Sequence, residues 1–373
     1  MNADLESILD AEIVDDHLPA VVDRAPATID INHSHTPSAE RRLENSGREN
    51  TRSTYESQWR QFAAWCTDTG RDPRVPTTPH NMAGYTAHLM DKGAPPSSVR
   101  LAAAAVRWVN ARAGHPDAPD MAETMQIYRD HRYEWAQTGR GQKSSAPIHL
   151  PRLRAMVAAC DPNTDSGKRD RALLLLGYHM RARASELAAL RVGDIDLITG
   201  NLMVATKRVS KNDKDSSGRE YEITDPACIA AVRTWLTTLD THGQRTPDLP
   251  LLRGVDQWGN IRRPSPKGWG LSRQSMNTLV QQIAERAGIV GADDQGDLAA
   301  EVITAHGLRA GVPTDLGRLG KTAAEIKEIT GDWASLEIVE KYRKVGRRMA
   351  GVRGDESHRA QALDMLRLNE ETP

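Results

Sequence analysis

The chain has 373 residues, of which 39% are hydrophobic and 27% charged, which is typical of a globular protein with two domains. It has no run of about 20 apolar residues, and its acidic start lacks the basic and apolar parts of a secretory signal, so we expect no membrane partner. The formal net charge is −1, but residues 1–46 hold ten acidic and three basic side chains, which leaves +6 for the rest. Such a modestly basic body can bind DNA phosphates, although charge alone does not establish this.

Residues 1–46 are predicted to be a flexible acidic tail, with a partner-docking segment as the alternative. Its two neighbouring histidines, His33 and His35, are too few for a metal site. The three cysteines are far apart and lack metal-ligand spacing: Cys66, Cys160 and Cys228. We therefore expect a reduced, cytoplasmic protein without cofactor or metal.

Residues 47–138 are predicted to form a helical domain without strands. Four segments repeat apolar residues at intervals of three or four, which indicates one buried face on each of four helices. The segments are 51–70, 78–93, 96–114 and 121–135. In the first, Trp59 and Phe62 lie on this face and Gly70 follows as a helix-ending residue. The helical spacing of the aromatic residues indicates a bundle core rather than a DNA-contacting surface.

Residues 139–150 are predicted to be a basic linker, because they are rich in Gly, Ser and Pro and include Arg140 and Lys143. A second domain, 151–349, is predicted to begin with helices that extend to about Asp196.

A β-hairpin is predicted after these helices, with strands at 201–209 and 219–224 and the polar loop SKNDKDSSG between them. Further helices follow, and Thr322 and Glu325 form a capping box ahead of one of them. Ser335 is positioned to cap the last helix. The predicted fold class is therefore mainly α, with a helical N-terminal domain and an α+β C-terminal domain that carries a small antiparallel sheet.

Seven residues with chemically useful side chains lie in four short motifs of the second domain. The motifs are Arg-x-x-Glu, a lysine in the hairpin loop, His-x-x-Arg, and a tryptophan followed nine residues later by a tyrosine. The residues are Arg183, Glu186, Lys211, His306, Arg309, Trp333 and Tyr342. Their order and spacing resemble the active site of the tyrosine recombinase (phage integrase) family. The resemblance covers about residues 50–350, and His-x-x-Arg followed by Trp-x8-Tyr is its most specific part.

The residue types suit phosphodiester cleavage, which places extra negative charge on the phosphorus-bound oxygens. The guanidinium groups of Arg183 and Arg309 can clamp such oxygens and stabilise the transition state. His306 is predicted to lie on the same helix face as Arg309, where it can bind the phosphate and assist proton transfer. Trp333 offers one indole donor at a position where the family often has histidine.

Tyr342 is the predicted nucleophile, which the resemblance implies becomes joined to a DNA 3′ phosphate. An unaided tyrosine has a pKa of about 10, so the clustered cations are needed to activate it. Lys211 is predicted to protonate the leaving 5′ oxygen, although Lys207 and Lys214 are close by. Glu186 is expected to fix the geometry of the site. The arginines take the role of a metal cation, so no metal is expected.

Each of these residues alone has an ordinary structural explanation, such as a surface ion pair or a core ring, and only their combined order makes coincidence improbable. Pro313 removes a helix hydrogen bond, and we expect a kink if the helix of Arg309 extends that far.

The resemblance implies a core-binding (SAM-like) domain at 47–138 and a catalytic domain at 151–349 that grip double-stranded DNA. It implies a site-specific recombinase that exchanges strands in a homotetramer, with accessory DNA-bending or directionality proteins as further partners. In the cytoplasm such an enzyme is expected at the nucleoid when bound to DNA. The short acidic tail favours the simple organisation of Cre-like and Xer-like recombinases. The segment 350–373 is predicted to dock either on a neighbouring subunit or on its own domain.

Two other activities stay open at this point. A type IB topoisomerase-like relaxing enzyme uses the same chemistry, and a sequence-specific DNA-binding protein without activity shares the fold. The presence of every catalytic residue type argues against the second.

Overall fold

The computed structural model describes residues 36–39, 49–139, 145–208, 218–263, 270–289, 302–331, 333 and 335–351. The predictions for Lys211, for most of the tail and for the segment after residue 351 lie outside these residues. Two compact units are present, and they divide between Gln142 and Lys143. None of the described helices has the length and apolar composition needed to cross a membrane.

The first unit is helical, as predicted. Its helices are α1 (Glu49–Asp68), α2 (Pro79–Asp91), α3 (Pro96–Arg112) and α4 (Ala122–Gln137). The aromatic residues of α1 pack inward, and the ring of Phe62 is fully buried, with its centroid 5.2 Å from that of Trp59 and 5.3 Å from that of Tyr85. The hydroxyl of Thr78 accepts the Asn81 N–H at the start of α2. This aromatic packing forms the core of the unit.

The second unit is mainly helical with one small sheet, which confirms the predicted fold class. Its helices are α5 (Leu150–Ala158), α6 (Asp165–His179), α7 (Ala184–Ala188), α8 (Pro226–Thr241), α9 (Arg273–Arg286), α10 (His306–Arg318), α11 (Ala323–Thr330) and α12 (Leu336–Met349). The fully buried apolar residues of α6, such as Leu173, Leu174 and Leu176, lie at the centre of its core.

The sheet has three antiparallel strands in the order β1-β2-β3: β1 (Ile195–Thr199), β2 (Leu202–Lys207) and β3 (Arg219–Ile223). The hairpin of β2 and β3 was predicted. The prediction of helix up to Asp196 was wrong, because a short 3₁₀ turn at Val192–Asp194 leads directly into β1. Side chains of β2 alternate between half-buried and buried, so Met203, Ala205 and Lys207 all point inward.

Two glycines let α10 and α12 approach each other closely. A Cβ at Gly346 of α12 would lie 2.0 Å from the carbonyl oxygen of Thr314, and a Cβ at Gly317 of α10 would lie 2.8 Å from the Cα of Arg343. Because no side chain fits at either position, backbone packs directly against backbone. This contact fixes the distance between the residues that the two helices carry.

The ends of α11 and α12 agree in part with the capping residues that the sequence predicts. The capping box of Thr322 and Glu325 begins α11, and Gly331 ends it with a φ of 59°. Ser335 occupies the N-cap position of α12, but its side chain makes no capping hydrogen bond, so that prediction was wrong in its detail. Helix α10 continues past Pro313 to Arg318.

Candidate active site

Tyr342 and His306 lie together at the contact between α12 and α10. The hydroxyl oxygen of Tyr342 and Nε2 of His306 are 2.9 Å apart, at hydrogen-bond distance. Tyr342 is 7% exposed and packs in a small apolar cluster with Ala310, Ile326 and Val339. Since His306 begins α10 and Tyr342 lies midway along α12, the close helix contact holds the two side chains in register.

The protonation states of this pair follow from their surroundings. Neighbouring atoms desolvate the imidazole of His306, although the residue as a whole is exposed, and the charges of Arg309 and Arg183 act in the same direction, so the pKa of His306 lies below its ordinary 6.5. Burial raises the pKa of Tyr342 above 10, and the charge of Arg309 opposes this rise. At neutral pH the imidazole is therefore neutral and the tyrosine keeps its proton.

Arg309 and Trp333 form a stacked pair beside the tyrosine. The guanidinium carbon of Arg309 lies 4.4 Å from the ring centroid of Trp333, and the indole lies 5.4 Å from the ring of Tyr342. Arg309 is 2% exposed, and its Nη1 donates to the carbonyl of Arg181 at 2.7 Å. The indole Nε1 of Trp333 is buried and has no hydrogen-bond partner among the described residues. A buried donor without a partner is costly, so it marks a place for an acceptor.

Arg183 and Glu186 form a capping arrangement at the start of α7. The carboxylate of Glu186 accepts the backbone N–H of Arg183 at 2.9 Å and the guanidinium Nη1 at 2.7 Å. The side chain of Arg183 is 28% exposed, whereas that of Glu186 is 6% exposed. The arginine is thus oriented by a buried carboxylate and keeps one side open to solvent.

Lys207 completes the cluster from the end of β2. Its Nζ lies 3.5 Å from Oε2 of Glu186 and donates to the hydroxyl of Tyr221 at 2.7 Å. Burial raises the pKa of Glu186, but the bonds from Arg183 and the charge of Lys207 outweigh this effect, so the net pKa lies below the ordinary 4.5. The carboxylate is therefore ionised and links the lysine to the arginine.

The structure brings together six of the seven residues singled out in the sequence, by direct contact or by charge: Arg183, Glu186, His306, Arg309, Trp333 and Tyr342. Lys211 lies outside the described residues. From the sequence, Lys207 was predicted only as a neighbour of Lys211. The alternation of Met203, Ala205 and Lys207 was the available signal, because it places Lys207 on the inward face of β2.

Comparison with known proteins identifies the family. The model of the phage integrase family matches residues 150–348, more than half of the chain. The integrase/recombinase xerD homolog of Selenomonas ruminantium is 24% identical over 325 residues, which cover 86% of this chain and 89% of the relative. Recombinase Cre of Escherichia phage P1 is 24% identical over 286 residues, which cover 76% of this chain and 80% of the relative.

Two solved structures share the fold. The Tn1549 transposon integrase in complex with transposon right end DNA has a TM-score of 0.55 and 12% identity, and the match covers 88% of this chain and 98% of that chain. The XerH recombinase bound to a palindromic difH substrate has a TM-score of 0.51 and 14% identity, with coverage of 88% and 83%. Because the family model spans more than half of its length, this chain belongs to the phage integrase family and is a tyrosine-type site-specific recombinase or integrase.

Proposed function

We propose that this enzyme cuts and rejoins duplex DNA through a covalent link between Tyr342 and a 3′ phosphate. The observation that carries the proposal is the 2.9 Å contact between the Tyr342 hydroxyl and His306 inside a cluster of arginines. The tyrosine oxygen attacks phosphorus, the P–O5′ bond breaks, and a free 5′ hydroxyl remains. The link retains the energy of the phosphodiester, so a 5′ hydroxyl reverses the step without ATP.

His306 serves as the proton acceptor for Tyr342. Its lowered pKa keeps the imidazole neutral, so Nε2 is free to accept the phenolic proton as the oxygen attacks. Burial keeps Tyr342 protonated until DNA is bound. When a DNA phosphate binds, the tyrosine oxygen and the phosphorus meet in a site where the proton acceptor His306 and the arginines are already in place.

Arg183, Arg309 and Trp333 bind the non-bridging oxygens of the phosphate. The Trp333 indole N–H, buried and without a partner among the described residues, supplies one donor. The partly exposed guanidinium of Arg183 supplies others, and its orientation is fixed by Glu186. Because these groups are positioned before the reaction, they stabilise the developing charge without rearrangement.

A lysine protonates the leaving 5′ oxygen, and we propose two candidates. Lys211 lies in the hairpin loop by its place in the sequence. Lys207 is supported by its contact with Glu186, which places an ammonium one carboxylate away from Arg183. A duplex with sulfur in place of the leaving 5′ oxygen separates them, because a thiolate leaves without a proton. Cleavage of this duplex is measured with Lys207→Ala and with Lys211→Ala. We expect the sulfur to restore cleavage in the one variant whose missing lysine is the acid, and to leave the second variant unchanged.

The proposed partner is duplex DNA, as in the DNA complexes of the two structural relatives. We propose that residues 47–138 and 151–349 bind it as core-binding and catalytic domains joined by the linker 139–150. Strand exchange then takes place in a tetramer on two DNA sites. The family membership shared with Cre supports recombination rather than relaxation of supercoils.

Covalent trapping tests the proposal. The protein is mixed with nicked duplexes drawn from its own genomic neighbourhood, on which the cut fragment diffuses away and prevents religation. The wild type is expected to form a protein–DNA adduct that survives denaturation, and Tyr342→Phe to form none while it binds the same duplexes. An adduct that persists in Tyr342→Phe contradicts the assignment of the nucleophile.

A further inference from the structure

Two residues after the end of α6 lies an arginine whose backbone conformation favours glycine. Arg181 has a φ of +48°, and no other non-glycine residue in the described part of the chain has a positive φ. The N–H of Arg181 donates to the carbonyl of Tyr178 at 3.0 Å, and that of Ala182 to Gly177 at 3.1 Å. This pair of bonds ends a helix in the Schellman motif, in which glycine usually holds the left-handed position. An arginine there implies a gain elsewhere that offsets the strain.

The backbone of Arg181 orients one of the proposed phosphate-binding groups. Nη1 of Arg309 donates to the Arg181 carbonyl at 2.7 Å. Arg181 also lies two residues before Arg183, which occupies the N-cap position of α7. Because the left-handed turn sets the direction of this carbonyl, it fixes the guanidinium of Arg309 relative to that of Arg183.

The side chain of Arg181 reaches the segment that carries Trp333. Its Nη2 donates to the carbonyl of Thr330 at 3.2 Å, and its guanidinium lies 5.2 Å from the ring centroid of Tyr221. Thr330 is the last residue of α11 and precedes Trp333 by three residues. The guanidinium thus caps the end of α11 just ahead of the indole.

A second arginine holds the same segment from β3. Arg219 donates from Nη1 to the Gly331 carbonyl at 2.8 Å and from Nη2 to the Thr330 carbonyl at 3.1 Å. Its guanidinium lies 5.3 Å from the ring centroid of Tyr221. Arg181 and Arg219 therefore share one carbonyl acceptor and flank one tyrosine ring.

We propose that Arg181 is a positioning residue that aligns both arginines and Trp333 for phosphate binding, through its backbone for Arg309 and through its side chain for Trp333. This inference rests on the proposed function. It makes Arg181 necessary for the speed of the chemical step and dispensable for folding, because glycine adopts the same backbone conformation with less strain.

Substitution by glycine and by alanine separates the two contributions. Arg181→Gly removes the side chain and relieves the strain of the left-handed turn, so the turn is kept. Arg181→Ala keeps the strained Cβ but loses the side-chain contacts that offset this strain, so the turn is free to shift. At saturating nicked duplex, we expect the single-turnover rate of adduct formation to fall about tenfold for Arg181→Gly and about a hundredfold for Arg181→Ala. We expect DNA affinity to stay within about twofold of wild type and the melting temperature of Arg181→Gly to equal or exceed it.

We expect Arg181→Gly to react faster than Arg181→Ala, and to react more slowly than the wild type while being at least as stable. An arginine that only supports the fold would not give this pattern of rates and stability. The double variant Arg181→Gly/Arg219→Ala is expected to react faster than the sum of the two single effects on the activation free energy predicts. The reason is that both side chains donate to the carbonyl of Thr330. Arg191→Ala, which removes an exposed arginine paired with Asp248, is the matched control and should leave the rate unchanged.

The outcomes are distinct for the two proposals. A wild-type rate in Arg181→Gly, or a rate in Arg181→Ala equal to or above that of Arg181→Gly, overturns the positioning role while the wild-type adduct at Tyr342 still stands. Absence of the wild-type adduct overturns the proposed function and this inference together.

Discussion

The two units of this chain differ in how many charged side chains they bury. Within residues 49–139, the first has a core with aromatic rings in mutual contact, such as Phe62, Trp65 and Tyr85, and buries one arginine, Arg112, over the ring of Trp108. The second buries more ionisable groups next to its apolar core: Arg169, Asp170, Glu186, Asp194, Lys207, Arg253, Arg309 and Asp315. Burying a charge is costly unless specific partners hold it. The second unit therefore has fixed charges at fixed positions, as the proposed phosphate chemistry requires.

The difference also extends to how helices meet. In the first unit, large rings fill the space between helices, and the closest ring centroids in this core are just over 5 Å apart. In the second, Gly317 and Gly346 bring α10 and α12 into backbone contact. The aromatic core of the first unit is stabilised by buried apolar area. In the second unit, the absence of side chains at the two glycines fixes the distance between α10 and α12. The following changes test each half of this comparison.

Phe62→Ala is expected to have the largest effect on stability, because it removes the fully buried ring at the centre of the aromatic core. The loss of transfer energy and the cavity together should lower the free energy of unfolding of the first unit by about 4 kcal/mol. Urea unfolding with hydrogen exchange over residues 49–139 measures it. Phe62→Leu, which refills most of the volume, should cost about 1 kcal/mol. A loss below about 1 kcal/mol for alanine would show that the ring is not central to the core.

Gly346→Ala should lower the free energy of unfolding of the second unit by about 3 kcal/mol, because the new Cβ would lie 2.0 Å from the Thr314 carbonyl oxygen. The same shift of α12 moves Tyr342 away from His306, so adduct formation should be lost even in the folded protein. Gly200→Ala is the matched control, since nothing lies within 4 Å of its added Cβ and its φ is not positive. Equal stability in the two variants would contradict the close helix contact.

Lys207→Met tests the buried charges. It leaves the carboxylate of Glu186, 6% exposed, without its lysine, and should cost about 2 kcal/mol at pH 7, since Arg183 still holds the carboxylate at 2.7 Å. Adding Glu186→Gln should recover part of this loss because the unpaired charge is removed. Urea unfolding of the single and double variants provides the measurement, and a double variant less stable than Lys207→Met would contradict a charge-based cost.

The smallest expected effect is on the pH dependence of the rate. The pKa of His306 lies below 6.5, and its proposed role as proton acceptor requires a neutral imidazole. The single-turnover rate should therefore be level above pH 6.5 and fall as the pH drops through the folded-state pKa. The sign for stability is the same: the unfolded chain binds the proton first, so stability also declines as the pH falls below 6.5. His306→Gln should slow the reaction and remove this acid limb. If the rate of His306→Gln still falls at acid pH, the fall is due to the titration of another group.

Much of the first unit could be predicted from sequence because its helices carry regular apolar periods. The predicted segment 51–70 corresponds to α1 at Glu49–Asp68, which begins and ends two residues earlier than predicted. The motifs of the candidate site were equally visible, because their residue types suit phosphate chemistry and their order resembles that of the tyrosine recombinase family. The strand β1 was missed because five residues with mixed exposure show neither period clearly.

Other features of the site needed the structure. Lys207 was passed over because the lysine of the site was expected in the hairpin loop, and only the packing of Glu186 and Tyr221 around Lys207 shows its inward side chain. The left-handed backbone conformation of Arg181 could not be predicted, because an arginine in the sequence does not indicate a positive φ. The roles of Gly317 and Gly346 depend on which helices cross at them, which is a tertiary property.

The central claim is that Tyr342 is the residue that becomes joined to DNA, and the DNA-linked peptide tests it most directly. The trapped adduct is digested with nuclease and with a protease that cuts after glutamate, and the modified peptide is sequenced by mass spectrometry. Cleavage after Glu340 and Glu356 releases residues 341–356, in which Tyr342 is the only hydroxyl-bearing side chain. We expect the nucleotide remnant on this peptide. A remnant on any other peptide would contradict it.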